Sequence, residues 1–244
     1  MRTLVLIPAY NEEKNLERVI ENLKKKAPQF DYIIINDGST DHTEKLCRKK
    51  QYHYISLPVN LGLTGAMQTG MKYAKEKNYD MAIQFDADGQ HLPEYIQKMV
   101  DCMEKTNCDV VIASRFYGGK MPLRMRTAGA RLITAAIRLT TKKYISDPTS
   151  GMRLYNRTII EQFVKDANNS PEPDTLSYLI RLGADVREVR VKMAERTEGK
   201  SYLTPVNASK YMMQMLMSIC IFQWFRPPMS ALWPMRPSSS WSAR

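Results

Sequence analysis

The chain has 244 residues, 43% of them apolar, and a formal net charge of +11. This length and composition support one sizeable folded core and exclude a disordered polar chain. The four cysteines, Cys47, Cys102, Cys108 and Cys220, form no Cys-x-x-Cys pair and no zinc spacing, which excludes a disulfide scaffold and fits a reducing cytoplasm.

A strand-like run, Leu4–Ile7, comes almost at once, and no signal peptide is expected before it. Four more follow at Tyr32–Ile35, Tyr54–Leu57, Met81–Phe85 and Val110–Ala113. Helical patterns fill the intervals: Glu12–Lys26, with Leu16, Val19, Ile20 and Leu23 on one face, then Thr43–Lys50, Leu63–Lys77 and Pro93–Lys105. Such alternation predicts an α/β fold, a parallel sheet covered by helices on both sides. The small residues Gly62, Gly65, Ala66 and Gly70 predict close packing of one helix on its neighbour.

Polar motifs follow three of these strands. They are Pro8-Ala9-Tyr10-Asn11-Glu12, Asn36-Asp37-Gly38-Ser39-Thr40-Asp41 and Asp86-Ala87-Asp88-Gly89-Gln90-His91. Open parallel sheets bind ligands beyond the carboxyl ends of their strands, so the three turns predict one site. Singly, Asn11 and Ser39 also suit helix N-caps. In Asp86-Ala87-Asp88 the carboxylates are two residues apart, so on an extended chain both face one side. With the Gln90 amide they form a hard oxygen set suited to Mg²⁺ or Mn²⁺ shared with a diphosphate.

The positive charge is concentrated after this point. Residues 115–165 hold eleven Lys and Arg against Asp147 and Glu161, and Tyr117 to Ser146 contains no acid. Arg124, Arg131 and Arg138 recur every seven residues, which on a helix makes one basic stripe, with Leu132, Ile133, Ala136 and Ile137 beside it. That stripe is either a solvated face or a docking surface for phosphate or anionic lipid. Next come the turn Asp147-Pro148-Thr149-Ser150-Gly151, helices near Arg157–Lys165 and Leu176–Leu182, and a strand-like alternation at Val189, Val191 and Met193. The apolar, Met-rich stretch Tyr211–Phe225 is too short to span a bilayer, for which about 20 residues are needed. The expected division is 1–210 for the main domain, 211–226 for an amphipathic helix that docks on a membrane or partner, and 227–244 for a disordered tail.

These motifs are similar to those of glycosyltransferase family 2, inverting enzymes of the GT-A fold, and most of all to its dolichyl- and polyprenyl-phosphate sugar synthases. Ser114-Arg115-Phe116, Asp147 to Arg153 and Arg196-Thr197-Glu198-Gly199-Lys200-Ser201 extend the match, collinear over residues 3–205. Met152 stands where those relatives carry Phe. The resemblance implies a GT-A (Rossmann-like), mostly parallel sheet with a C-terminal amphipathic helix. It implies a nucleoside diphosphate sugar donor, with Pro8, Tyr10, Glu12, Asp37 and Asp86 holding the nucleotide. Asp88 and Gln90 would bind Mg²⁺ or Mn²⁺, and Asp86, Asp88 and Asp147 would be the catalytic carboxylates. Arg115, Arg131, Arg196, Lys200 and Ser201 would bind phosphate groups.

The expected activity is sugar transfer to a polyprenyl phosphate for cell-envelope glycan synthesis. The expected place is the inner face of the membrane, where a cytoplasmic, peripheral protein meets an anionic surface or a small membrane protein as anchor. No nucleic acid is expected as partner, since no nucleic-acid-binding motif is present. A lipid phosphate is already anionic and attacks without a base, whereas a sugar hydroxyl needs one, and Glu172 and Asp174 are the candidates. Extension of a polysaccharide through a sugar hydroxyl is therefore the alternative, and a non-catalytic binding protein using the basic stripe is a third.

Overall fold

The computed structural model describes residues 1–119, 125–167, 169–194 and 205–226. Arg124, Arg196, Lys200, Ser201 and the segment 227–244 lie outside the described residues. The strands are β1 (Thr3–Ala9), β2 (Asp31–Asn36), β3 (Tyr54–Ser56), β4 (Met81–Gln84), β5 (Val110–Ser114), β6 (Arg153–Asn156) and β7 (Val186–Arg190). They form one sheet in the order β3-β2-β1-β4-β6-β5-β7. All neighbours are parallel except β6, which runs antiparallel to both β4 and β5.

The helices are α1 (Leu16–Lys26), α2 (Thr43–Lys49), α3 (Gly62–Glu76), α4 (Glu94–Thr106), α5 (Met125–Thr141), α6 (Arg157–Lys165), α7 (Pro173–Arg181) and α8 (Pro205–Cys220). Side chains alternate along each strand, so β1 sends Leu4 and Leu6 to one layer and Val5 and Ile7 to the other. The first layer packs on α3, α5, α6, α7 and α8, the second on α1, α2 and α4. Leu16, Val19, Ile20 and Leu23 of α1 are all buried, each contributing about 1.5–3 kcal/mol relative to exposure. Gly70 lets α3 close on β1, since a Cβ there would lie 3.0 Å from Leu6.

Four local features differ from the sequence expectation. Helix α1 starts at Leu16 rather than Glu12, because Asn11 turns the chain at φ 56° and the Glu12 carbonyl caps Asn15 and Leu16. Neither Asn11 nor Ser39 caps a helix; the Asn11 backbone donates to Ser39 Oγ, and Asn11 Oδ1 accepts from the Thr40 backbone at 2.8 Å. Strand β7 lies at 186–190 and ends before Val191 and Met193. Strand β6 is the fourth. After β5 the chain makes its α5 excursion without recrossing the sheet, so it re-enters from the same end and must run antiparallel. The segment 146–151 is thereby delivered to the carboxyl ends of β4 and β5.

Helix α8 contributes to the core, with Met215 and Ile219 buried against α5 and α7. Its outer edge and the following 3₁₀ turn, Phe222–Trp224, leave Met213, Met217, Ile221, Phe222, Trp224 and Phe225 exposed. On α5, Ile133, Ala136 and Ile137 are buried, so of the apolar residues expected beside the stripe only Leu132 stays outside, joined by Leu139. Among the described residues, no helix is long and apolar enough to cross a membrane.

Candidate active site

The sheet reverses its winding between β1 and β4, and that crevice is where open α/β sheets bind ligands. The loops after β1 and β2 are tied to each other there. Glu12 N donates to Thr43 Oγ1 at 2.9 Å, and Glu12 Oε2 accepts from Asn15 Nδ2 at 2.8 Å. Buried Asp37 accepts the Leu61 backbone N–H on Oδ1 at 2.8 Å, which fixes the loop after β3. Pro8 and Tyr10 are half-buried along the same edge.

Beside this edge, beyond β4, lies a cleft of about 260 Å³. Gln84, Asp86, Gln90 and His91 form one wall, Arg115 and the 149–151 turn a second, and Glu172 with Tyr211 a third. Gly89 makes the sharp turn at φ +80°. Asp88 Oδ1 accepts the Gln90 N–H at 3.0 Å, so Asp88 folds over its own turn while Asp86 lines the cleft. The sequence expectation set both on one side of an extended chain; the chain turns from Ala87 onward, and Asp86 and Gln90 line the cleft while Asp88 stands in the turn beside it.

His91 sets the position of Asp86. Its Nδ1 accepts the Asp86 backbone N–H at 2.9 Å, so that nitrogen carries no proton and Nε2 does. Nε2 then points toward Asp86 Oδ2 at 3.5 Å, and the ring packs edge-on to Phe85. Gln84 Nε2 donates to Asp86 Oδ1 at 3.0 Å, while Gln84 Oε1, buried, has no hydrogen-bond partner among the described residues. Gly151 packs opposite, where a Cβ would come within 2.8 Å of Asp86 Oδ2 and displace that carboxylate.

Asp147 is fully buried and holds Arg115 with both oxygens. Arg115 Nε donates to Oδ2 and Nη2 to Oδ1, each at 2.7 Å, and the Arg115 backbone adds a third bond at 3.0 Å. This fork raises the Arg115 pKa, so the guanidinium stays charged. Glu188 anchors the loop from behind, accepting from Ser146 N and Oγ and from Asp147 N. Arg153, 2% exposed, donates to the carbonyls of Pro148, Ser150 and Glu172 and is a strut.

Of the expected phosphate ligands, Arg115 lines the cleft, whereas Arg131 sits half-buried on α5 and is not among the lining residues. Asp174 does not line it either, being held by Ser218 Oγ at 2.7 Å and Arg226 at 3.4 Å. Sequence reasoning missed Gln84, His91 and Tyr211 as site residues. Gln84 had a signal, a polar residue inside an apolar strand, and His91 closes the acidic motif. Tyr211 had none, because it reaches the cleft only through the packing of α8.

Asp86, Asp88 and Gln90 offer only hard oxygens, and among the described residues no cage of three or more His, Cys, Asp or Glu surrounds a point. So small a set of protein oxygens, with Gln90 in the cleft wall and Asp88 in the turn beside it, fits Mg²⁺ or Mn²⁺, which keep water and take substrate phosphate as their other ligands.

The family model described as glycosyl transferase family 2 matches residues 4–164. Polyprenol monophosphomannose synthase of Mycolicibacterium smegmatis is 28% identical over 230 residues, covering 86% of this chain and 84% of the relative. Undecaprenyl-phosphate mannosyltransferase of Micrococcus luteus is 27% identical over 216 residues, covering 84% and 88%. The solved structure of glucosyl-3-phosphoglycerate synthase from Mycobacterium tuberculosis, in complex with phosphoglyceric acid, has a TM-score of 0.68 at 22% identity and covers 90% of this chain and 80% of that one. At that identity the likeness concerns the fold, which is GT-A. The chain belongs to glycosyl transferase family 2.

Proposed function

We propose that this glycosyltransferase moves a sugar from a nucleoside diphosphate sugar to a polyprenyl phosphate at the inner face of the cytoplasmic membrane. The observation that carries the reading is the Arg115–Asp147 fork in the cleft wall. Asp147 spends both oxygens on Arg115, so it positions a cation and has no free acceptor for a proton. A fixed guanidinium suits an anionic acceptor, which attacks C1 without a base once two negative reactants are held together. The two relatives named for polyprenol and undecaprenyl-phosphate mannose transfer support the same acceptor class.

In this reading Pro8, Tyr10, Glu12 and Asp37 hold the nucleoside, and Asp86, oriented by His91 and Gln84, accepts its hydrogen bonds. Mg²⁺ or Mn²⁺ held by Asp88 and Gln90 would supply charge neutralisation of the leaving diphosphate. Arg115 binds phosphate of donor or acceptor, with Arg131, Arg196, Lys200 and Ser201 as further candidates. Incubation with nucleotide sugars and a polyprenyl phosphate tests the whole: sugar from one donor should appear in a lipid product.

The second reading, a sugar hydroxyl as acceptor, is favoured by one observation: Glu172 lines the cleft. If lipid phosphate is the acceptor, Glu172→Gln lowers kcat at saturating substrate by less than about tenfold, since no proton transfer is catalysed. A loss of about 10³-fold in the folded variant would establish the hydroxyl acceptor instead.

Membrane docking is supported by the face that α5 and α8 share. Neither helix carries an acid, Arg138 and Lys142 are exposed, and Phe222, Trp224 and Phe225 stand out at one end. Lys143, next in sequence to Lys142, is engaged in an ion pair with Asp185 at 3.2 Å. Each surface charge is worth about 1 kcal/mol at an anionic bilayer, so Arg124→Gln/Arg138→Gln/Lys142→Gln should weaken liposome binding by roughly a hundredfold. Equal sedimentation of variant and parent at low salt would reduce the stripe to a solvated face.

A further inference from the structure

Glu172 occupies the N-cap position of α7 in extended backbone, yet its side chain makes no cap hydrogen bond. Its carboxylate turns instead into the cleft wall, where the Tyr211 hydroxyl donates to Oε2. Among the described residues no protein donor reaches Oε1. Three features hold the group rigid. Pro171 and Pro173 fix φ on either side, and the Glu172 carbonyl accepts from Arg153 Nη1 at 3.2 Å. Tyr211 comes from α8, which Met215 and Ile219 anchor in the core, and burial beside Glu172 raises its pKa, so it remains a donor at neutral pH.

The cleft is therefore divided by charge. Arg115 gives one wall a fixed cation that suits phosphate, Arg153 in the lining commits its donors to the carbonyls of Pro148, Ser150 and Glu172, and Glu172 gives another wall a fixed hydrogen-bond acceptor. Such an acceptor fits neutral groups that donate hydrogen bonds, and the polyol of a sugar is such a group. We propose that Glu172 reads hydroxyl groups of the transferred sugar, and that Tyr211 is a positioning residue that holds its carboxylate ready. The inference rests on the donor being a nucleotide sugar. It makes α8, through Tyr211, a part of the active site.

Calorimetric titration separates the sugar from the nucleotide. The parent, Glu172→Gln, Glu172→Asp and Tyr211→Phe are each titrated, in Mn²⁺, with UDP and GDP, and with UDP-glucose, UDP-N-acetylglucosamine and GDP-mannose. Bare diphosphates should bind all variants within about twofold of the parent, while the preferred nucleotide sugar loses about tenfold with both Glu172 variants and about threefold with Tyr211→Phe. Nucleotide sugar bound as tightly by the Glu172 variants as by the parent would overturn the proposal, as would a parallel loss of bare nucleotide. If Tyr211→Phe lowers only the melting temperature, Tyr211 is a structural contact and its positioning role falls. A parent that binds none of these nucleotides contradicts the donor reading itself and is thus told apart from failure of the sugar contact.

Discussion

Asp88→Asn is expected to lower turnover by at least about 10²-fold while the fold survives, the loss typical of removing one charged partner from a developing negative charge. The reason for survival is local. Asp88 Oδ1 accepts the Gln90 backbone N–H at 3.0 Å, and an asparagine carbonyl oxygen accepts the same bond. What disappears is the charge, and a neutral amide is a much poorer ligand for a hard divalent ion. EDTA should inhibit the parent to a matching degree, and added Mg²⁺ or Mn²⁺ should restore it. A chelated parent that stays fully active removes the metal from the account. A variant whose thermal transition collapses points to a structural role for the turn instead.

Asp147→Asn should be the other severe change, and it should act on stability as well as on rate. Asp147 is fully buried and receives three hydrogen bonds from Arg115 and one from Thr149. An asparagine offers one acceptor oxygen and turns its NH₂ toward donors. Breaking one side of a buried pair costs about 3–5 kcal/mol, and the partial exposure of Arg115 brings the expectation toward about 2–3 kcal/mol. With Arg115 released from the cleft wall, kcat/KM should fall by about 10²-fold. Arg115→Lys keeps the charge but loses the fork, and should lie between parent and Asp147→Asn. Urea midpoints and steady-state kinetics on the three proteins check this. Unchanged kinetics in Asp147→Asn would mean that the fork has no part in binding the reactants.

The first half of the fold was legible because its signals are local. Leu16, Val19, Ile20 and Leu23 recur at helical spacing, and Met81 to Phe85 is an apolar run ended by acids. The three turns that carry the chemistry lie at strand ends, so their convergence followed from topology alone. Strand β6 escaped because it is four residues long, contains Arg153, and is covered on both faces, so neither alternation nor a long apolar run marks it. Its antiparallel direction is what brings the 147–151 turn back to the cleft, with Gly151 against Asp86 and Asp147 against Arg115. The partner of Asp147 was also out of reach: Arg131 and Arg153 stood nearer in the sequence pattern, but Arg115 is the residue that strand β5 presents to it. The segment after 205 read as apolar and amphipathic. Which side of it would be buried depends on α5 and α7, and so does the arrival of Tyr211 in the cleft.

Transfer to lipid is the most direct test of the central claim. The parent is incubated with radiolabelled GDP-mannose, UDP-glucose or UDP-N-acetylglucosamine, Mg²⁺ or Mn²⁺, and liposomes that contain undecaprenyl phosphate. Label from one donor should enter the organic phase as a sugar-phosphate lipid, and none should do so from liposomes lacking the polyprenyl phosphate. Label found only in a water-soluble product, such as a glycosylated phosphoglycerate or an extended saccharide, would contradict the claim.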